Sequence, residues 1–354
     1  MKICKLALIT LTYVLLFSCS EEEKEVINLE LEGKVILEDE VKINKLISLD
    51  SILLGFRLDD DYYFSLYNSK TYMKYGEVLK RGNGPNEFNS PIRVHGMGYE
   101  NQELFLWFHD INEVKLHRLN VTKSLMSAVT IIDKTLKIPT NPDPLSIRFI
   151  NDSIIVFNNS NLSLNVNQLN YYNLKSDSLF KEIQFDLGYE KQSQEVDYIQ
   201  YTYNLIYVNV FEVKPDKDKI ATVYQYQDQV DLVNREGVRL SRHTNSTDYA
   251  NKSMEFLTSR KRNALNIYYK AVEADDNFIY ALYYNQPSEL YLNQHHNSSI
   301  HVFDWDLNLI AEIKLKDYLL NFSLNKEQGT IVGYDYFNEK LLEYEINEVV
   351  RDLL

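Results

Sequence analysis

The sequence predicts an all-β chain folded as a six-bladed β-propeller with four-stranded blades. Three observations carry this expectation. From residue 26 onward, short apolar or alternating runs rich in Val, Ile, Tyr and Phe are broken by Asn, Asp and Gly turns, which is the pattern of strands. The runs recur in units of about 50 residues with four strands each, the spacing of propeller blades. The last unit lacks one strand, and a spare strand stands at the other end of the chain, within Val26–Leu37. A ring must close, and pairing the N-terminal strand into the last blade removes both loose edges.

The units follow in order. The first runs through Lys42–Leu49, Ile52–Leu58, Tyr62–Tyr67 and Met73–Leu79. The second has Ile92–Gly98, Glu103–Phe108, Val114–Leu119 and Ala128–Ile132. The third has Leu145–Ile150, Ser153–Phe157, Leu169–Leu174 and Lys181–Phe185. The fourth has Tyr207–Val213, Ile220–Tyr226, Val230–Val233 and Val238–Arg242. The fifth has Tyr269–Glu273, Phe278–Tyr283, Ile300–Trp305 and Ile310–Leu315, and the sixth Leu320–Leu324, Thr330–Asp335 and Leu341–Ile346. The first turn of each unit is polar, from Asp50-Ser51 to Asn325-Lys326. With only 11 Gly in 354 residues, Asn is expected to fill many turn positions that need the left-handed conformation.

Naming the strands of a blade A to D, the A–B and C–D turns lie on one face of the ring and the B–C and D–A links on the other. The long connections, 83–91, 133–144, 187–206, 243–267 and 285–298, are all of the second kind. Long loops on a rigid scaffold are where binding sites concentrate, so this face is expected to carry the site. Pro139, Pro142 and Pro144 make 133–144 read as a rigid extended crossing. Within 248–267, Met254, Leu257, Ala264 and Ile267 have rough helical spacing, so either a capping helix or an irregular loop is expected.

Residues 1–18 read as a signal peptide, with Lys2 and Lys5 before a short apolar stretch, Leu6–Phe17, too short to span a bilayer as a helix. Leu16-Phe17-Ser18-Cys19 resembles a bacterial lipobox, although Phe17 is bulkier than the usual residue there. Cys19 is then the lipidation site and the bilayer its partner, several acyl chains together holding at ~0.8 kcal/mol per buried CH₂. An ordinary secretory signal with an incidental Cys is the alternative. Residues 19–25, with Glu21, Glu22, Glu23 and Glu25, form an acidic tether, and 26–354 the propeller. The tether also resembles the acidic export signal of surface lipoproteins, so the outer membrane, cell-surface side, is expected over its periplasmic face. The chain has two cysteines, Cys4 and Cys19, leaving none for disulfides or thiol chemistry in the mature domain. A formal charge of −14, from 51 acidic and 37 basic residues without a basic stripe, argues against nucleic acid as a partner.

Between the first and second units stands Arg81-Gly82-Asn83-Gly84-Pro85-Asn86-Glu87-Phe88. It lacks the Lys-Ser/Thr of a phosphate-binding loop and opens no helix, so Gly82, Gly84 and Pro85 read as a structural turn, with Glu87 and Phe88 pinning it to neighbouring blades. This element is similar to the Gly-x-Gly-Pro-x-Glu-Phe motif of the TolB-like six-bladed propeller lipoproteins of Bacteroidetes. Ala274–Tyr283 and Ile300–Asp306 agree with it in position and order, across nearly the whole mature chain. The resemblance implies a lipid-anchored six-bladed propeller; it implies little about activity and supplies no catalytic residues to carry over.

Candidate ligand residues are sparse. Arg93 and Arg148, near the starts of A strands, and Lys270 face the central channel, where they can meet an anionic or sugar ligand or pair with acids of adjacent blades. His295, His296 and His301 form the one histidine cluster visible from spacing, but adjacent residues point to opposite sides and no metal motif is present. Asp59-Asp60-Asp61 reads as a solvated B–C turn, with a Ca²⁺ site as the alternative. Tyr62-Tyr63, Tyr171-Tyr172, Tyr268-Tyr269 and Tyr283-Tyr284 fit as filler between sheets or as a sugar-stacking surface. No Gly-x-Ser-x-Gly elbow or Ser–His–Asp set can be assembled, and no cofactor is implied. The expectation is a binding module whose long-loop face engages a protein, peptide or glycan. The alternative is a hydrolase or lyase acting on a glycan or lactone at the channel mouth.

Overall fold

A computed structural model of the chain describes residues 26–38, 43–58, 60–159, 169–183, 205–259, 265–291, 293 and 296–346. Cys19, His295, the signal peptide and the tether lie outside these residues. Six sheets form the ring. Blade 1 is β3 (Ile43–Leu49), β4 (Ile52–Arg57), β5 (Tyr62–Asn68) and β6 (Lys74–Lys80). Blade 2 is β7 (Ile92–Glu100), β8 (Glu103–Asp110), β9 (Lys115–Asn120) and β10 (Ile132–Lys137). Blade 3 is β11 (Pro144–Asn151), β12 (Ile154–Asn159), β13 (Leu169–Asn173) and β14 (Ser178–Ile183). Blade 4 is β15 (Asn209–Val213), β16 (Lys219–Tyr224), β17 (Gln229–Asn234) and β18 (Arg239–Thr244). Blade 5 is β19 (Asn266–Ala274), β20 (Phe278–Pro287), β21 (Ser299–Asp304) and β22 (Leu309–Leu315), and blade 6 begins with β23 (Leu319–Asn325), β24 (Thr330–Asp335) and β25 (Lys340–Glu345). The first strand of each blade contacts the first strands of both neighbours, so these six line the axis.

The ring closes as expected and with one addition. β2 (Lys34–Leu37) pairs antiparallel with β25 and completes blade 6. β1 (Ile27–Leu31) pairs parallel with β22, Ile27 opposite Ala311, and gives blade 5 a fifth strand. The chain therefore staples two blades together at Glu32-Gly33. A Cβ at Gly33 would come 2.8 Å from the Tyr344 ring and 2.9 Å from Leu342 Cβ, so this crossing has room only for glycine.

In all five blades whose C–D link is continuous in sequence, the last residue of the C strand is Asn or Asp, and its side chain accepts backbone N–H groups of the following turn. Asn68 accepts from Lys70 and Thr71, Asn120 from Lys123, Asn173 from Lys175 and Ser176, Asn234 from Val238, and Asp304 from Asp306 and Asn308. Among the described residues only three Asn, 86, 101 and 285, are at positive φ. The abundance of Asn thus serves side-chain-capped turns more than left-handed positions.

Two differences from the sequence expectation stand out. The C–D link of blade 2 is not a short turn but a helix, α1 (Val121–Ser127), N-capped by Asn120. The outer strand of blade 2 is consequently Ile132–Lys137 rather than Ala128–Ile132, and the link to blade 3 shrinks to 138–143. Apolar Val121 and Leu125 favour the helix because blade 1 offers a docking place: Leu125 lies where a side chain on Gly76 of β6 would be. In the link from blade 4 to blade 5 the helical alternative holds, as α2 (Asp248–Ser259). The tyrosines fill spaces between sheets. Tyr63, Tyr67, Tyr224, Tyr269, Tyr280, Tyr318, Tyr334 and Tyr344 are among the largest fully buried side chains.

Candidate functional site

The inner strands mix buried and half-exposed side chains. Here those strands bring Lys45, Arg148, Glu212, Lys270 and Glu273 into or beside one cavity of about 440 Å³. β-bulges make this possible. Five of the six inner strands shift register near their starts, at Ile43/Lys45, Val94/Gly96, Pro144/Ile147, Tyr269/Ala271 and Leu319/Asn321. An extra residue reverses which side the following side chains face. Lys270 is such an extra residue, so Lys270 and Glu273, three apart on β19, both line the cavity, where a regular strand would have set them on opposite faces.

The five groups differ in how far they are already satisfied. Arg148 is bound to Glu212 of the next blade through Nε at 2.8 Å and Nη2 at 2.7 Å, and its Nη1 donates to the carbonyls of His95 and Ile147. Four of its five N–H groups are thus used. Burial would raise the Glu212 carboxyl, but the charge and hydrogen bonds of Arg148 outweigh this and hold it low. Lys45 donates to the Val94 carbonyl at 3.1 Å, and burial with the nearby Arg148 charge pushes its ammonium down to about 8. Lys270 donates to Gln225 Oε1 at 3.0 Å and lies 5.1 Å from the centroid of the Tyr291 ring, with no carboxylate partner among the described residues. Burial lowers it to about 8. Glu273 accepts no hydrogen bond among the described residues, and burial together with the Glu212 charge pushes its carboxyl up to about 7, against the opposing pull of Lys45, Arg148 and Lys326. Asn321 donates to the Ile43 carbonyl, while its buried Oδ1 on the cavity wall has no partner.

The residues singled out from sequence separate accordingly. Arg148 and Lys270 share the cavity. Arg93 does not line it; it pairs with Asp143 at 3.2 Å and donates to the Pro144 carbonyl. His296 sits half-buried in the B–C link of blade 5, away from the cavity lining, and His301 is buried against Tyr283, ring centroids 4.0 Å apart. Another histidine grouping is one that spacing did not reveal. His95, His109 and His117 come from three successive strands of blade 2, with His95 and His109 stacked at 6.1 Å. Among the described residues no set of three metal-ligating side chains could hold a metal ion.

The Arg81–Phe88 stretch is a self-contained turn. Glu87 accepts from the Gly84 amide at 2.9 Å and from Lys80 at 2.8 Å. A Cβ on Gly82, at φ 151°, would meet Glu87 Oε2 at 2.0 Å. Phe88 packs edge-on against Phe108, 5.2 Å between centroids. Glu87 therefore holds the turn together and Phe88 fastens it to blade 2. Neither lines the cavity.

Sequence reasoning missed Lys45, Glu212, Glu273 and Asn321. A usable signal existed, since each is a charged or amide residue inside an otherwise largely apolar strand.

Solved structures share this fold. A member of the DUF4221 family from Bacteroides vulgatus matches with a TM-score of 0.55 at 13% identity, over 91% of this chain and 98% of its own. A Bacteroides fragilis protein, inferred by its name to be exported, matches at 0.52 and 12% identity, over 90% of this chain and 99% of its own. Raptor of Chaetomium thermophilum matches at 0.52 and 7% identity, over 89% of this chain but 28% of its own. No curated protein sequence matches the chain. The family model described as "TolB-like 6-blade propeller-like" matches residues 41–327, and the chain belongs to that family of TolB-like six-bladed propellers.

Proposed function

We propose that this protein is a lipoprotein held in the outer membrane, on the cell-surface side, by acylated Cys19, and that it is a binding module whose ligand sits in the central cavity. The anchor rests on Lys2, Lys5, the apolar stretch 6–17 and the lipobox-like Leu16–Cys19. The observation that carries the binding role is Lys270: a half-buried ammonium on the wall of the cavity, held by one amide oxygen and one aromatic ring and by no carboxylate among the described residues. Desolvating a cation without an anion is costly, and a ligand that supplies the anion recovers that cost.

The test is a thermal-shift screen of glycans, peptides and metabolites on the native chain and on Ser146→Trp, which fills the cavity. Ligands that stabilise the native chain and not the variant support the reading. Ligands that stabilise both equally place binding elsewhere and refute it. A second reading, a hydrolase or lyase acting on a glycan or lactone, rests on Glu273 and Lys270, an acid and an amine brought near neutrality in one cavity. Turnover of such a substrate that Glu273→Gln abolishes would favour it.

A further inference from the structure

We infer that the ligand of the central cavity is a small polyhydroxy carboxylate, a sugar acid of the hexuronate type, with its carboxylate on Lys270 and its hydroxyls on Glu273 and Asn321. This rests on the reading of the cavity as the binding site and goes further by naming the ligand chemistry.

The argument counts unspent donors and acceptors. An ammonium has three donors and a guanidinium five. Lys270 spends one on Gln225 and Lys45 one on Val94, so two ammoniums have donors left. Arg148 is nearly saturated by Glu212, His95 and Ile147 and is a wall of the site, not its anion seat. Of the two ammoniums, Lys45 shares its surroundings with Glu212 and Glu273, whereas burial alone acts on Lys270. An anionic group of the ligand therefore belongs at Lys270.

The unsatisfied acceptors sit elsewhere on the same lining. Glu273 accepts no hydrogen bond among the described residues, and Asn321 Oδ1 is buried without a partner. Both need donors. A cationic donor is not called for in the group as a whole, because its three cations already outnumber its two carboxylates. Neutral hydroxyls meet the need. With three cations against two carboxylates, the group carries a formal charge of +1 inside a chain of −14, which selects a ligand that is anionic overall. Phe211 and Phe322 supply apolar wall for the C–H faces of a sugar ring. The volume of about 440 Å³ lies within the roughly 300–1,000 Å³ of small-ligand sites and exceeds what a bare carboxylate such as acetate would fill.

Isothermal titration of the full chain in detergent with D-glucuronate, D-glucose, acetate and glycylglycine tests the inference. Glucuronate is expected to bind at least tenfold more tightly than glucose or acetate. Lys270→Met is expected to bring glucuronate to the level of glucose, while Lys270→Arg, which keeps the charge, preserves the preference. Asn321→Leu is expected to weaken glucuronate and glucose alike. No binding of glucuronate at millimolar concentration, equal affinity for glucose, or an unchanged Lys270→Met variant overturns the inference. If glycylglycine binds best and is lost in Lys270→Met, the ligand class is wrong and the cavity remains the site. If Ser146→Trp leaves glucuronate binding intact, the cavity itself is not the site and the broader reading falls with it.

Discussion

Replacing Arg148 by Met isolates the ion pair that joins blades 3 and 4 at the channel. The Arg148 and Glu212 side chains are 19% and 14% exposed and meet at 2.7 Å between blades 3 and 4. Two unit charges about 4 Å apart attract by about 4 kcal/mol at an effective dielectric of about 20. Removing one partner leaves the other buried and uncompensated, which costs about 3–5 kcal/mol. The carbonyls of His95 and Ile147 also lose their donor. Lys45 lies close enough to lower the Glu212 carboxyl and takes up part of the deficit, so the lower end of that range, about 3 kcal/mol, is expected. Without Arg148, burial raises the Glu212 carboxyl above its unfolded value, so the variant is relatively more stable at low pH and its deficit grows as pH rises. Arg148→Met/Glu212→Leu removes both charges and is expected to recover to within about 1 kcal/mol of the native chain. Urea unfolding followed by both tryptophan fluorescence and far-ultraviolet dichroism at pH 5 and 7.5 measures this, with coincident transitions as the check on two-state behaviour. A single-variant loss below about 1 kcal/mol, or a double variant as unstable as the two single losses added, would refute the reasoning.

Three further expectations concern acid, ring closure and the anchor. His95, His109 and His301 are held below their usual value of 6.5 chiefly by burial, His109 at about 4 and His301 at about 3. The unfolded chain therefore binds protons first: stability present above pH 6.5 is lost as pH falls toward 4, by up to ~1.4 kcal/mol per pH unit for each histidine. The urea midpoint should drop between pH 7 and 5, and less so in His109→Phe; an equal drop in both would count against it. Gly33→Val forces side-chain atoms onto Tyr344 and Leu342 and is expected to cost about 1–3 kcal/mol, read as a lower melting temperature. An unchanged melting temperature would mean that the crossing between β1 and β2 does not staple the ring. Cys19→Ser should abolish fatty-acid labelling and release the chain from membranes; continued labelling would remove Cys19 as the anchor site.

Much of this architecture could be read from the chain alone, because it depends on local chemistry. Alternation and turn residues mark strands, and the count of strands, one missing at the end and one spare at the start, determines how the ring closes. The Gly-x-Gly-Pro turn was legible for the same reason: Gly82, Gly84 and Glu87 lie within six residues and satisfy one another. Helix α1 was not, because seven residues make a marginal helix, and what stabilises it is the space above Gly76 on a neighbouring blade. The cavity was legible only in part. Arg148 and Lys270 could be picked out as charges on inner strands, but their environments could not. Arg148 is occupied by a carboxylate 64 residues away, whereas among the described residues Lys270 has only Gln225 and the Tyr291 ring. Whether a charge is spent or available depends on which distant groups the ring brings within hydrogen-bonding distance. A single extra residue in each of several inner strands decides which side chains face the axis, and only the folded ring shows where those bulges fall.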